Sequence, residues 1–141
     1  MTDIGQIQLS EKQRHWLFKL WNSQYPAAIA FAKISDLDLY LNSLIAASHY
    51  IPLDDENKPL AWICTFTREQ ELWFAMIIDP DYQGKGLGKK LLSKLKMDFP
   101  ALNAWVVDHS DYVLKSGEPY HSPLGFYLKL GFKIASELPA K

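Results

Sequence analysis

Two stretches near the middle of the chain carry apolar side chains on both of their alternating faces. In residues 60–67, Trp62, Cys64 and Phe66 point one way and Ala61, Ile63 and Thr65 the other. In residues 72–78, Leu72, Phe74, Met76 and Ile78 oppose Trp73, Ala75 and Ile77. Strands apolar on both faces belong in the middle of a covered sheet. The polar turn Arg68-Glu69-Gln70 between them predicts an antiparallel hairpin. Elsewhere the spacing is helical. Ser10 to Gln13 reads as a capping box, followed by a stripe of Trp16, Leu17, Leu20 and Trp21 that Tyr25-Pro26 breaks. Ser35-Asp36-Leu37-Asp38 reads as a second helix start, with Leu37, Leu41, Leu44 and Ile45 on its face. Leu87, Leu91, Leu92 and Leu95 form a third stripe. Ser122 as N-cap and Pro123 at the first helical position open a fourth helix, which Gly131 closes. Shorter strands are expected at 4–9, 49–53, 103–107, 112–114 and 132–138.

Between the central strand and the third helix lies Asp79-Pro80-Asp81-Tyr82 and then Gln83-Gly84-Lys85-Gly86-Leu87-Gly88-Lys89. Pro has no N–H for a ladder and Asp favours turns, so the strand ends there. A helix start leaves backbone N–H groups without partners and carries roughly half a positive charge. Glycines clear side chains from those groups, and Lys85 and Lys89 add cationic charge, so the turn suits a pyrophosphate. A plain strand-to-helix connection with solvated lysines fits the spacing equally. The Walker pattern fails, because Lys90 stands where Ser or Thr would hold magnesium. The glycines run GxGxG and not GxGxxG. Asp108 lies at a fitting distance for a ribose contact, which keeps a dinucleotide reading open; the antiparallel hairpin argues against it.

Gln83, Gly86 and Gly88 match the pattern Q/R-x-x-G-x-G/A after an apolar strand, which resembles the acetyl-CoA signature of the GNAT superfamily of N-acetyltransferases. Downstream, Phe126-Tyr127-Leu128-Lys129-Leu130-Gly131-Phe132 resembles the family's second signature, a helix ending in F/L-Y-x-x-x-G-F. The resemblance implies one α/β (α+β) domain over residues 1–141, with a mixed, mainly antiparallel sheet flanked by about four helices. It implies acetyl-CoA as co-substrate and no metal. Pantetheine would lie along Met76, Ile77 and Ile78, contacted mainly by backbone. Gln83, Gly84, Lys85, Gly86, Leu87, Gly88 and Lys89 would hold the pyrophosphate. A backbone N–H near Met76 or Ile77 would steady the thioester oxygen. Tyr127 stands where the family places its tyrosine general acid. The two early helices would frame the acceptor site, where core packing competes with substrate contact as the role of Trp21 and Tyr25.

The implied reaction is direct attack by a primary amine on the thioester. A thiol has a pKa of about 8.5 and a tyrosine about 10, so Tyr127 would be protonated at neutral pH and able to donate to the leaving thiolate. An amine of pKa about 10.4 is neutral only about once in 2,500 molecules at pH 7, so a base or water relay is expected. The family's strand glutamate has Leu72 at its position here, and Glu71 would face the other way. His109, Asp108, Glu118 and His121 remain as candidates. Two features depart from the family pattern. Tyr120 stands where an Asn often opens the second signature, leaving Ser122 as a substitute. There is also room for only one strand after the last helix, which leaves the sheet edge bare, covered by the long loop before that helix, or covered by a second copy in a homodimer.

Composition narrows the class further. At 141 residues one core is expected, and a net charge near −1 gives no basic footprint for nucleic acid. No apolar run reaches about 18 residues, so no membrane span is expected. The first residues lack the basic start and apolar core of a signal peptide. With one cysteine, no internal disulfide forms. Cys64 as a nucleophile would need a lowered pKa and a nearby base; an inert core thiol is the expectation. Together these readings suggest a cytoplasmic acetyltransferase of a small-molecule or peptide amine, with a non-catalytic acyl-CoA-binding module as the alternative.

Overall fold

A computed structural model describes residues 5–106 and 111–134. Helix α1 (Glu11–Gln24) opens on the expected capping box: Ser10 Oγ accepts from the Gln13 N–H, and Gln13 reaches back to the Ser10 N–H. Helix α2 (Ile34–Ser43) starts before the expected cap. Its N-cap is Lys33, and Asp36 accepts from the Lys33 N–H at 3.3 Å, so Ser35 lies inside the first turn. Leu44 ends the helix in extended geometry. Ile45, expected on the helix, instead begins strand β1 (Ile45–Tyr50), four residues ahead of the predicted strand at 49–53.

β1, β2 (Ala61–Arg68) and β3 (Glu71–Ile78) form an antiparallel meander in sheet order β1-β2-β3-β4. The β2–β3 hairpin is closed by Glu69 and Gln70, both with positive φ (52° and 66°). Such a turn matches the twist of its strands, at a backbone cost of roughly 1–2 kcal/mol for each non-glycine residue. After β3 the chain crosses over through α3 (Leu87–Asp98) to the short strand β4 (Asn103–Ala104), which runs parallel to β3. The chain then forms α4 (Leu124–Lys129). Its cap differs by one position from the expectation: Pro123 is the N-cap, and Ser122 Oγ accepts from the Leu124 N–H at 3.2 Å. Gly131, with φ of 94°, closes it.

The alternation in β2 and β3 sorts the core into two layers. Trp62, Cys64 and Ile77 pack against α1 and α2 through Leu17, Leu20, Trp21 and Leu37. Ala61, Ile63 and Phe74 pack against α3 and α4 through Leu91, Leu92, Leu95 and Tyr127. Burying a leucine such as Leu92, which is fully inaccessible, contributes about 2 kcal/mol. Four expected strands are reduced; of 103–107 only Asn103 and Ala104 are strand, and Val107 lies outside the described residues. Near the N-terminus only Gln6 bridges His49; Ile4 lies outside the described residues. Residues 112–114 supply isolated bridges, Val113 to Pro119 and Leu114 to Pro26. Residues 132–134 are not strand, and the rest of 132–138 lies outside the described residues. Among the described residues no helix is long and apolar enough to cross a membrane.

Candidate active site

The site begins where β3 loses a neighbour. β2 pairs with β3 along its whole length, whereas β4 meets it only at Trp73 and Phe74. From Ala75 onward that side of β3 has no strand among the described residues. Backbone groups alternate sides along a strand. The Leu72 and Ile78 carbonyls face the gap, accepting from Asn103 Nδ2 at 3.1 Å and Gln83 Nε2 at 2.9 Å. The Asp79 N–H faces β2 and donates to the Leu60 carbonyl at 3.0 Å. Met76 N–H and C=O therefore turn into the gap, and those of Ile77 turn towards β2. Of the two residues named for an oxyanion contact, the strand presents Met76.

The glycine turn stands at the end of this gap. Gly84 and Gly86 have positive φ (76° and 81°), and a Cβ on either would meet nothing within 4 Å, so the surface above them is open. Gly88 is glycine for another reason: a Cβ there would lie 2.8 Å from Ile78 Cδ1 and 3.1 Å from Phe126 Cζ, holding α3 against β3 and α4. The first turn of α3 leaves N–H groups without intrahelical acceptors, and the Lys90 N–H donates to the Gly86 carbonyl. Gln83 fastens the turn: its Nε2 donates both to the Ile78 carbonyl and to Gln24 Oε1 on α1, each at 2.9 Å.

Two cavities flank this frame. One, of about 640 Å3, runs from the glycine turn along β3 and is lined by Met76, Ile77, Ile78, Gln83, Gly84, Gly86, Gly88 and Lys89. The other, of about 620 Å3, opens between the α1–α2 layer and β4 and is walled by aromatic side chains including Trp21, Tyr40, Phe66, Trp73 and Trp105. Tyr25, Met76, Tyr120, Pro123 and Tyr127 line both, so the cavities meet there. Tyr127 is 8% exposed and rests edge-on against Phe74, Phe126 and Phe132. Burial, and then the neighbouring Tyr120, push its phenol up to about 12. Burial likewise raises Tyr25 and Tyr120, so all three hydroxyls at the junction are proton donors at neutral pH.

The other residues singled out in the sequence separate clearly. Lys85 does not line the cavity; its ammonium sits 5.8 Å from the Tyr82 ring centroid. Leu87 packs in the α3 core layer. Glu118 and His121 line the glycine-side cavity, while Glu71 is exposed at the start of β3, opposite Arg68. Asp108 and His109 lie outside the described residues. Cys64 is a buried free thiol pushed up to about 12 by burial, the reverse of what a nucleophile needs. Trp21 is a core residue, donating Nε1–H to the Ile29 carbonyl at 2.9 Å, and it also walls the second cavity. Sequence reasoning does not single out Gln24, Tyr40, Arg68, Trp73 or Trp105 as site residues; each is brought in by tertiary packing from a separate element.

Residues 46–134 match the family model described as an acetyltransferase (GNAT) domain. The spermidine N(1)-acetyltransferase of Escherichia coli K12 is 31% identical over 113 residues, covering 77% of this chain and 58% of that protein. The chain thus spans less than two thirds of that relative's length. A crystal structure of an aminoglycoside 6′-N-acetyltransferase with coenzyme A superposes with a TM-score of 0.67 at 15% identity, covering 99% of this chain and 88% of that one. The spermidine/spermine N-acetyltransferase of Vibrio cholerae, solved with manganese ions, gives 0.58 at 16% identity, covering 90% and 76%. At such identities the superpositions speak for the fold alone. The family model covers well over half of the sequence, and on that ground the chain belongs to the GNAT family of acetyltransferases.

Proposed function

We propose that the protein binds acetyl-CoA along β3 and the glycine turn and transfers its acetyl group to a small primary amine, with Tyr127 as general acid. The observation that carries this reading is the meeting of two cavities at Met76 and Tyr127, one floored by glycines at a helix start and the other walled by aromatics. The open surface above Gly84 and Gly86 fits a diphosphate, which would take the first-turn N–H groups of α3. Acetyl-CoA supplies a thioester already activated towards amines, so the chemistry calls for no metal. The Met76 N–H donates to the carbonyl oxygen as it gains negative charge; one such donor is worth about 3 kcal/mol. Relatives named for spermidine make a small amine the acceptor class we favour.

Tyr127 has a specific proton balance to meet. The amine nitrogen bonds to the acyl carbon, the carbon–sulfur bond breaks, and sulfur takes a proton. A phenol near 12 giving its proton outright to a thiolate of about 8.5 is uphill by roughly 5 kcal/mol. The step closes when Tyr127 gives a proton to sulfur and regains one from the nitrogen, which turns acidic once it has attacked. Tyr120 and Tyr25 line the same junction, and we assign them the support of that return. Cytoplasmic location and a homodimer remain part of the proposal; exposed Ile45 on edge strand β1 and Trp105 beside β4 are apolar surfaces a second copy could cover.

Calorimetric titration with acetyl-CoA, with NAD as control, followed by thiol release on adding a primary amine, tests the reading. Micromolar binding of acetyl-CoA alone and amine-dependent thiol release are expected. Binding without release with any amine would leave the acyl-CoA-binding module, and binding of NAD in place of acetyl-CoA would return the dinucleotide reading.

A further inference from the structure

The aromatic cavity holds an unusual charge arrangement for a site that receives an amine. Among the described residues lining it, the charged ones are Arg68 and Glu69, both at the tip of the β2–β3 hairpin. Glu69 is exposed. The Arg68 guanidinium lies 5.2 Å from the Trp73 ring centroid, and the Trp73 indole N–H donates to the Arg68 carbonyl at 3.2 Å. A guanidinium carries five N–H donors in a planar fork, the geometry that takes a carboxylate by two parallel hydrogen bonds. Among the described residues Arg68 has no carboxylate within ion-pair distance. Its charge also reaches the phenol of Tyr40, another residue of the wall: burial raises that phenol, and Arg68 opposes the rise.

Distance then fixes the shape of the missing partner. The reacting nitrogen must sit where the cavities meet, at Met76 and Tyr127. Trp73, which carries Arg68, lies three residues from Met76 along β3, or roughly 10 Å at a strand's rise. Between the two ends run Phe74, Ala75, Phe66 and Trp105, which give an extended molecule apolar contact and no counter-charge. A polycation would bring its second ammonium towards the half-buried Arg68 guanidinium, with the Glu69 carboxylate exposed beside it. We infer that the acceptor is an amine on an extended apolar body whose far end bears an anionic group received by Arg68. This rests on the acetyltransferase reading, whose donor half can be measured independently.

Three amines that share an eight-carbon chain test it: 8-aminooctanoate, octylamine and 1,8-diaminooctane, compared by kcat/KM for thiol release. The expected order is carboxylate over neutral by roughly tenfold, and neutral over diamine. Arg68→Glu should reverse the carboxylate-to-diamine preference, and Arg68→Gln should erase it. Acetyl-CoA titration of both variants reports whether each is folded. Equal use of the three amines by wild type, a wild-type preference for the diamine, or a carboxylate preference that survives both substitutions would overturn the inference. Acetyl-CoA binding with none of the three acetylated would overturn it too while sparing the donor site. Failure of wild type to bind acetyl-CoA would remove the proposed function itself.

Discussion

The two cavities are built from different materials. The glycine-side cavity offers backbone along one side: three glycines, the first turn of α3, and the edge of β3 that has no strand beside it among the described residues. The aromatic cavity is made of side chains from α1, α2, β2, β3 and the segment after β4. Backbone recognition demands the absence of side chains at a few neighbouring positions, and that can be written in one short motif. Side-chain recognition demands particular groups from distant positions, and no local pattern records them. The first surface should therefore tolerate changes that keep its backbone, and the second should not.

The largest departure should come from Gly86→Val. A β-branched residue at φ of 81° is strained and would project into the open surface over the turn. Acetyl-CoA affinity should fall at least about 100-fold, roughly 2.7 kcal/mol. An unchanged titration would mean that the cofactor lies elsewhere. Next is Trp105→Ala in the aromatic wall. Trp105 is 54% exposed, so the fold should survive. Acceptor KM should rise about tenfold with acetyl-CoA affinity unchanged, the loss of one aromatic face from a binding wall. Equal changes on both sides would dissolve the distinction between the cavities. Gln83→Ala should weaken acetyl-CoA about fivefold, because it cuts the ties to Gln24 and to the Ile78 carbonyl while sparing the glycines. Met76→Leu should matter least, under about twofold in acetyl-CoA affinity, since its backbone is the proposed contact and volume is kept.

The same contrast explains what can be read in advance. The β2–β3 hairpin is legible because the apolar residues of 61–66 and 74–78 alternate between the two core layers on either side of a polar turn. Gln83, Gly86 and Gly88 are legible because one turn needs them all. The start of α2 differs from the sequence pattern because Lys33 and Asp36 share a backbone capping contact that Ser35 only imitates in sequence. Ile45 leaves the helix because its helical spacing from Leu41 carries no signal of the β1–β2 pairing, which places it opposite Thr67. The backbone direction at Met76 is open in the sequence, since a resemblance names a neighbourhood and only the register with β2 says which N–H faces the gap. Arg68 and Trp73 lie five positions apart in the chain, and only the hairpin register brings the guanidinium to the ring.

The central claim is that the junction of the two cavities does chemistry, and Tyr127→Phe tests it most directly when kcat and acetyl-CoA affinity are measured on the same protein. The phenyl ring keeps the edge contacts with Phe74, Phe126 and Phe132, so folding and binding should be preserved. Acetyl-CoA affinity should stay within about twofold of wild type, and kcat should fall by roughly 10²–10³. Unchanged kcat with unchanged affinity would contradict the claim, and would leave Tyr127 as an aromatic packed beside a reaction catalysed by other groups.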